Sequence, residues 1–321
     1  MKTLLKTLAA LLACAAAFGA RADYPDRPIR LVVPFSPGGN IDATARIVAE
    51  GLTKELGQTV IVENRAGAAG MVGSEYVARA TPDGYTTLLG STGALATGKA
   101  INPSLALSPD KDFVAASAIA RAPLVLAVSP QVKVKDVAEF ITYAKQRPGQ
   151  LTMASSGVGT AAHLTGELFQ KLSGTKFLHV PYKGSALAVA DLLGGHVELT
   201  FDQLASTLPQ IRAGQLHALG VTTAARSSVL PSLPTLAETG LPGFESSTTT
   251  GLLFPAGTPA AVIDKVRAAM QKVLAMPETK EKFLALGSDV LSGPDADFDR
   301  ILADELKKWT EVAREAQISA P

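Results

Sequence analysis

The sequence predicts an α/β protein made of two βα units. Two observations carry this. Apolar, β-rich runs alternate with amphipathic helical stretches, the order that gives parallel sheets with helices on both faces. The alternation also occurs twice, over 29–90 and again over 129–222, and in each unit a glycine-rich loop joins a strand to a helix.

Taken in order, Ile29 to Val33 is a short apolar strand, and Asn40 to Leu56 has helical spacing at Ile41, Ala45, Val48, Ala49 and Leu52 before Gly57 stops it. Strand Thr59 to Glu63, helix Ser74 to Ala80 and strand Tyr85 to Gly90 follow, the last after the turn Pro82-Asp83-Gly84. Strand Pro123 to Val128 leads into the second unit, which starts with helix Val134 to Arg147, stopped by Pro148-Gly149. Strand Leu151 to Ser155, helix Ala162 to Leu172, strand Phe177 to Val180 and helix Ala186 to Leu193 come next. Strand Val197 to Phe201, helix Leu208 to Ala213 and strand Leu216 to Thr222 complete it. Ser227 to Gly243 is rich in Pro, Ser and Gly and reads as a connection. The tail is helical over Ala260 to Met276, Pro277 to Leu286 and Ala296 to Ala316.

The 321 residues, 47% hydrophobic and 18% charged, can bury a sizeable core in about two domains, which excludes global disorder. Thirty basic side chains face 29 acidic ones with no basic stripe, so no nucleic-acid partner is expected. Met1 to Ala22 reads as a secretory leader: Lys2 and Lys6, an apolar run from Leu8 to Phe18, and the cleavage site Ala20-Arg21-Ala22. The run is shorter than the roughly 20 apolar residues a membrane span needs. Cleavage after Ala22 takes 30 basic side chains to 27 against 29 acidic, and removes Cys14, the single cysteine. The exported body is then free of disulfides, cysteine nucleophiles and zinc–thiolate sites. A periplasmic location follows, and with no pool of NAD or ATP there, no cofactor is expected. The four histidines, His163, His179, His196 and His217, lack paired metal-ligand spacing, so no metal site is expected.

Candidate binding residues lie on two loops. The first is Phe35-Ser36-Pro37-Gly38-Gly39 with Asp42; the second is Ser155-Ser156-Gly157-Val158-Gly159-Thr160 with His163. Glycines let backbone approach a ligand, and a helix start offers unpaired N–H groups and the positive end of its dipole, an anion site needing no arginine. In open α/β sheets such loops gather at the carboxyl ends of the strands, where ligands bind. Asp42 either meets a ligand or stabilises its helix start. His163 either donates to a ligand or packs. Asp202, Ser91 and Thr92 follow strands on the same side and either line the cleft or cap helices. Neither loop is a nucleotide fingerprint, and there is no Walker ending or nucleophile elbow. Valine at Gly38 or Gly159 is expected to block the ligand's approach without touching the core.

In this order and spacing, a further set of stretches resembles one family over almost the whole exported length. They are Tyr24-Pro25-Asp26-Arg27-Pro28-Ile29, Pro34 to Asp42, Glu63 to Gly70, Ala80 to Thr86, Gly157 to Thr160 with His163-Leu164, and His179-Val180-Pro181-Tyr182-Lys183-Gly184. Leu192 to Gly195, Leu233 to Glu238 and Pro255 to Pro259 complete it. The chain resembles the periplasmic solute-binding proteins of tripartite tricarboxylate transporters, the Bug group. The resemblance implies a type II periplasmic-binding-protein (Venus-flytrap) fold, with one domain from 23–125 plus 228–321 and an inserted domain over 126–227. Two crossing strands would form the hinge, near Pro123 to Val128 and Leu219 to Thr223. It implies a monomer, not an enzyme, that captures a small organic carboxylate and delivers it to membrane transporter subunits. Dicarboxylates, tricarboxylates, acidic amino acids and aromatic acids are all candidates. The contacts carried over fall on Phe35 to Gly39 and Ser155 to Thr160. Two departures are visible: Thr248-Thr249-Thr250 stand where many relatives carry an aromatic, and no Tyr-Asp-Pro occurs near Leu107 to Pro109. The competing readings are a sensor accessory with the same site, and a hydrolase using Ser156, His163 and Asp202.

Overall fold

The computed structural model describes residues 24–318. The leader expected over 1–22, with Cys14 and the expected cleavage site, lies outside the described residues. The first lobe begins as the periodicity predicts: β1 (Ile29–Val33), α1 (Asn40–Leu56), β2 (Val60–Asn64), α2 (Met71–Ala78), β3 (Thr86–Ser91) and α3 (Thr92–Ile101). Gly57 ends α1 in the left-handed region (φ 70°) and returns its N–H to the Thr53 carbonyl, the glycine stop read from the sequence. A one-turn helix, α4 (Pro109–Asp112), leads into the long strand β4 (Phe113–Val128).

The second lobe runs α5 (Val137–Lys145), β5 (Thr152–Ser155), α6 (Ala161–Ser173), β6 (Leu178–Pro181), α7 (Ser185–Gly194), β7 (Leu199–Gln203), α8 (Leu204–Arg212) and β8 (His217–Val221). The chain then returns through β9 (Ser247–Pro255), α9 (Ala260–Ala275), α10 (Pro277–Ala285), β10 (Asp289–Val290) and α11 (Phe298–Glu315).

Strand pairing shows the same order twice. In the first sheet it is β2-β1-β3-β9-β4, with β1 parallel to β2 and β3 and β9 antiparallel to both neighbours. In the second it is β6-β5-β7-β4-β8, with β5 parallel to both neighbours and β4 antiparallel to β7 and β8. β4 belongs to both sheets: Pro123 still pairs with Ser247 of β9, and Leu124 already pairs with Gln203 of β7.

The outward crossing thus falls at Pro123 and Leu124. The return crossing falls at Ser246 and Ser247, beyond the Leu219 to Thr223 implied by the resemblance. The stretch 228–246, which the sequence reading assigns to the first domain, packs on the second lobe. Leu236, Leu241 and Phe244 are buried with Phe140, Phe169 and Phe201, and Leu230 and Leu233 pack against Leu204 and Leu208. Each such fully buried side chain is worth about 1.5–3 kcal/mol, which outweighs the loop-like composition of the segment. At the crossing, Thr222 Oγ1 accepts from the Leu124 N–H (3.0 Å) and lies 3.0 and 2.7 Å from the Leu124 and Ser246 carbonyls.

Each sheet carries helices on both faces. In the first lobe, α1, α9 and α10 cover one face through Val48, Leu52, Met270, Val273 and Phe283. Helices α2, α3 and α11 cover the other through Met71, Leu95, Phe298 and Trp309. The second lobe is not independent of this core. Leu164 of α6 is fully buried in the cluster of Ile101, Leu302 and Val312, and Lys171 of α6 pairs with Glu315 of α11.

Candidate functional site

Between the lobes, at the carboxyl ends of the parallel strands, lies a cavity of about 510 Å3. Phe35 to Pro37, Gly39 to Asp42, Ala66 to Gly70, Ser91 and Gly93 line it from the first lobe. Ser156 to Val158, Thr160 to Ala162, Tyr182 to Leu187, Asp202, Gln203 and Ser206 line it from the second, with Thr248 near the return crossing.

Six helices start at this cavity. Only α3 is capped by a side chain, Ser91 Oγ accepting from the Ala94 N–H. At the starts of α1, α2, α6, α7 and α8 the capping positions are Gly39, Gly70, Thr160, Gly184 and Gln203, and none supplies a side-chain bond. First-turn N–H groups have no partner inside their own helix, so α1, α6, α7 and α8 present donors and positive potential here; at α2 the preceding turn takes the Met71 and Val72 N–H groups on the Ala68 and Gly67 carbonyls. An anion gains about 0.3–1 kcal/mol per exposed end and up to about 2 where partly buried. Among the described residues lining the cavity, Lys183 is the one cationic side chain and is exposed; Asp42 and Asp202 are the acids.

The first loop is held by Asp42. Its buried carboxylate accepts from the Gly38 N–H (3.1 Å), from Arg46 Nε and Nη2 (3.0 and 3.1 Å) and from Asn64 Nδ2 (2.9 Å). Asn64 also donates to the Phe35 carbonyl. Burial raises the Asp42 pKa, and these hydrogen bonds outweigh it and hold the carboxyl below its ordinary value. Through these bonds Asp42 fastens the loop that carries Gly38, while the residue still lines the cavity. Gly38 sits at the exposed tip with φ +90°, a conformation that favours glycine.

The second loop is held from behind. Ser155 Oγ lies 2.6 Å from His179 Nε2 and accepts from the Gly157 N–H; Thr160 Oγ1 donates to the Gly157 carbonyl. His163 turns away from the cavity, accepts from the Gly159 N–H at 3.2 Å and stacks on His179 at 3.8 Å. Burial, and for His163 the neighbouring ring, push these histidines down to about 3 and about 4, so both are neutral near pH 7. The Gly159 carbonyl accepts from Thr97 Oγ1 of the first lobe (2.5 Å), and a Cβ on Gly159 would overlap Ile101.

The cavity therefore gathers Phe35, Ser36, Pro37, Gly39, Asp42, Ser91, Ser156, Gly157, Val158, Thr160 and Asp202. Ser155, Gly159 and His163 stand behind the wall, and Thr92 is committed to the sheet, its Oγ1 accepting from the Thr249 N–H. The expectation that valine at Gly159 would leave the core untouched is corrected by Ile101. Ser156, His163 and Asp202 do not hydrogen-bond to one another: His163 is engaged with Gly159, and Asp202 with Ser185 and Gln203.

Residues 66–70, 182–187, Asn40 and Thr248 also line the wall, though the sequence reading assigned them no site role. The first two carry a signal, the glycine-rich turn Gly67 to Gly70 and the single Gly184, each just before a helix. Ala68 and Ala69 hold φ of 46° and 52° at the cavity wall, sparsely populated for non-glycine residues. Three lining residues have buried side-chain atoms with no partner in the protein: Asn40 Oδ1, Asp202 Oδ2 and Thr248 Oγ1. Burial pushes Asp202 up to about 6, with the Ser185 and Gln203 hydrogen bonds opposing.

Residues 44–318 match the model of the "Tripartite tricarboxylate transporter family receptor" family. BugT of Bordetella pertussis is 40% identical over 294 residues, covering 91% of this chain and 90% of that protein. The structure of R. palustris Rpa4515 with adipate superposes with a TM-score of 0.88 at 36% identity, over 92% of this chain and 99% of that one. That of MatC from Rhodopseudomonas palustris with bound malate gives 0.85 at 32% identity, over 90% and 99%. Among the described residues, no helix is long and apolar enough to cross a membrane.

Proposed function

Since the chain belongs to the tripartite tricarboxylate transporter receptor family, we propose that it is a periplasmic receptor that holds a small organic carboxylate in the cavity between its lobes and passes it to membrane transporter subunits. The observation that carries this is the convergence of four helix starts without side-chain caps, those of α1, α6, α7 and α8, on one cavity that no arginine lines. Backbone N–H groups would hold the carboxylate, and the dipoles would offset its charge. The solved relatives with adipate and malate agree with a carboxylate ligand.

In this reading the lobes are 24–123 with 247–318, and 124–246. They bend at the two crossings, so that closure brings the two glycine loops onto opposite sides of the ligand. The leader would be cleaved after Ala22. The test is a thermal-shift panel of carboxylates on protein refolded free of bound ligand. A true ligand at 100 times its Kd adds about 2.7 kcal/mol, a rise in Tm of a few degrees for a chain this size. A panel of dicarboxylates, tricarboxylates, amino acids and aromatic acids that leaves Tm unmoved would overturn the reading.

A further inference from the structure

The cavity carries two opposite chemistries. The helix starts supply donors, whereas two of the three unpartnered buried side-chain atoms are acceptors. Asp202 is the penultimate residue of β7, lies at the cavity wall and is 1% exposed. Its Oδ1 accepts from Ser185 Oγ (2.8 Å) and from the Gln203 N–H (2.7 Å), the first residue of α7 and the capping residue of α8. Its Oδ2 has no partner, and no cationic side chain pairs with this carboxylate. Across the cavity, Asn40 Oδ1 is the second unmatched acceptor. Buried carboxylates are ordinarily paired, because leaving one oxygen unmatched forfeits its solvation.

A ligand with carboxylate groups alone satisfies the helix starts and leaves these acceptors unmatched. A ligand that also carries a donor satisfies both. We propose that Asp202 is a specificity-determining residue that selects carboxylates bearing an α-ammonium or α-hydroxyl group, with that donor set against Oδ2. The proposal rests on the carboxylate-binding function inferred above and narrows its substrate class. Ser185 and Gln203 fix the carboxylate from one side, so the donor's direction of approach is set before the ligand arrives.

The test uses ligand sets of equal chain length, titrated by calorimetry: succinate, malate, aspartate and 2-methoxysuccinate, then glutarate, 2-hydroxyglutarate and glutamate, then adipate and 2-aminoadipate. 2-Methoxysuccinate keeps the oxygen of malate and loses its donor. In whichever length binds, the donor-bearing member should bind about tenfold or more tighter than its plain counterpart, the scale of one hydrogen bond to a charged group. Asp202→Asn keeps an acceptor for Ser185 and Gln203 and turns the second atom into a donor, so that ratio should collapse toward one or invert. Equal affinities across a set in the wild-type protein would overturn the proposal and leave carboxylate binding standing. The same holds if 2-methoxysuccinate matches malate, or if plain diacids bind tighter with uptake of a proton. Should no member of any set bind, and the wider carboxylate panel also fail, the binding function itself falls. The wild-type comparison decides the matter even if Asp202→Asn fails to fold.

Discussion

Gly39, at the capping position of α1, and Gly159, one residue before that of α6, have opposite surroundings. Gly39 lies at φ −87°, ψ 173°, which any residue adopts, and a Cβ there meets nothing within 4 Å. Gly39→Val should fold normally and weaken ligand binding at least tenfold; an unchanged Kd would remove the first loop from the site. Gly159→Val drives a branched side chain into Ile101 from φ +75°, an overpacking that costs about 1–3 kcal/mol and lowers the Tm whether or not ligand is present. The stacked histidines set the acid limit of the fold. His163 and His179 fall from 6.5 to about 3 and about 4 on folding. A depressed pKa contributes stability that is present above 6.5 and lost as pH falls toward those values. Asp202, raised from 3.8 to about 6, acts in the opposite direction over pH 4–6, as does the raised Glu167. The histidine shifts are larger, so the urea midpoint should fall between pH 7 and 4.5. His179→Gln should flatten that fall; a slope unchanged by the substitution would refute the assignment. Residue identity alone cannot separate Asp42 from Asp202, since both are acids beside a helix start on the cavity side. What separates them is Asn64 and Arg46 saturating one, and burial beside two helix starts leaving the other half-paired.

At the scale of elements, periodicity located what it could measure. Helix α1 and strand β1 fall where the sequence puts them because their apolar spacing is unbroken and Gly57 marks a stop. Strand β9 went unread: its Ser-Thr-rich run has all nine residues buried, so it shows neither alternation nor an apolar run. Helix α3 was hidden by Gly93 and Gly98, and forms with Ser91 capping it and its side chains almost wholly buried. Ser227 to Gly243 reads as a connection because only a few large side chains, Leu236 and Leu241 among them, anchor an otherwise turn-forming stretch. At the crossing between lobes, Thr222 ties the two chain passages together through one hydroxyl. Thr222→Val keeps the shape and leaves the buried Leu124 N–H without that acceptor, a loss of about 1–3 kcal/mol by urea denaturation. A variant as stable as the wild type would show that the hydroxyl does not hold the crossing.

Seen whole, the molecule repeats one strand order in two lobes that share a strand and a core. Leu164 belongs to the second lobe by sequence and to the first by packing. Leu164→Ala should therefore cost about 2–5 kcal/mol and shift a single calorimetric transition; two transitions, only one of them moved, would show the lobes to be energetically separate. The repeated order was not legible as a sequence repeat, because position in a sheet is set by which edges remain free rather than by similar residues. The placing of β9 has a consequence for biogenesis. The strand that joins β3 to β4 in the first sheet begins at Ser247, after the whole second lobe. At about 5–20 residues per second, the ribosome takes roughly 8–30 seconds to travel from Ser91 to that point. Through that interval the amino-terminal half of the polypeptide has no complete first sheet to close, so the order in which the strands are made holds that sheet open until the second lobe has been synthesised.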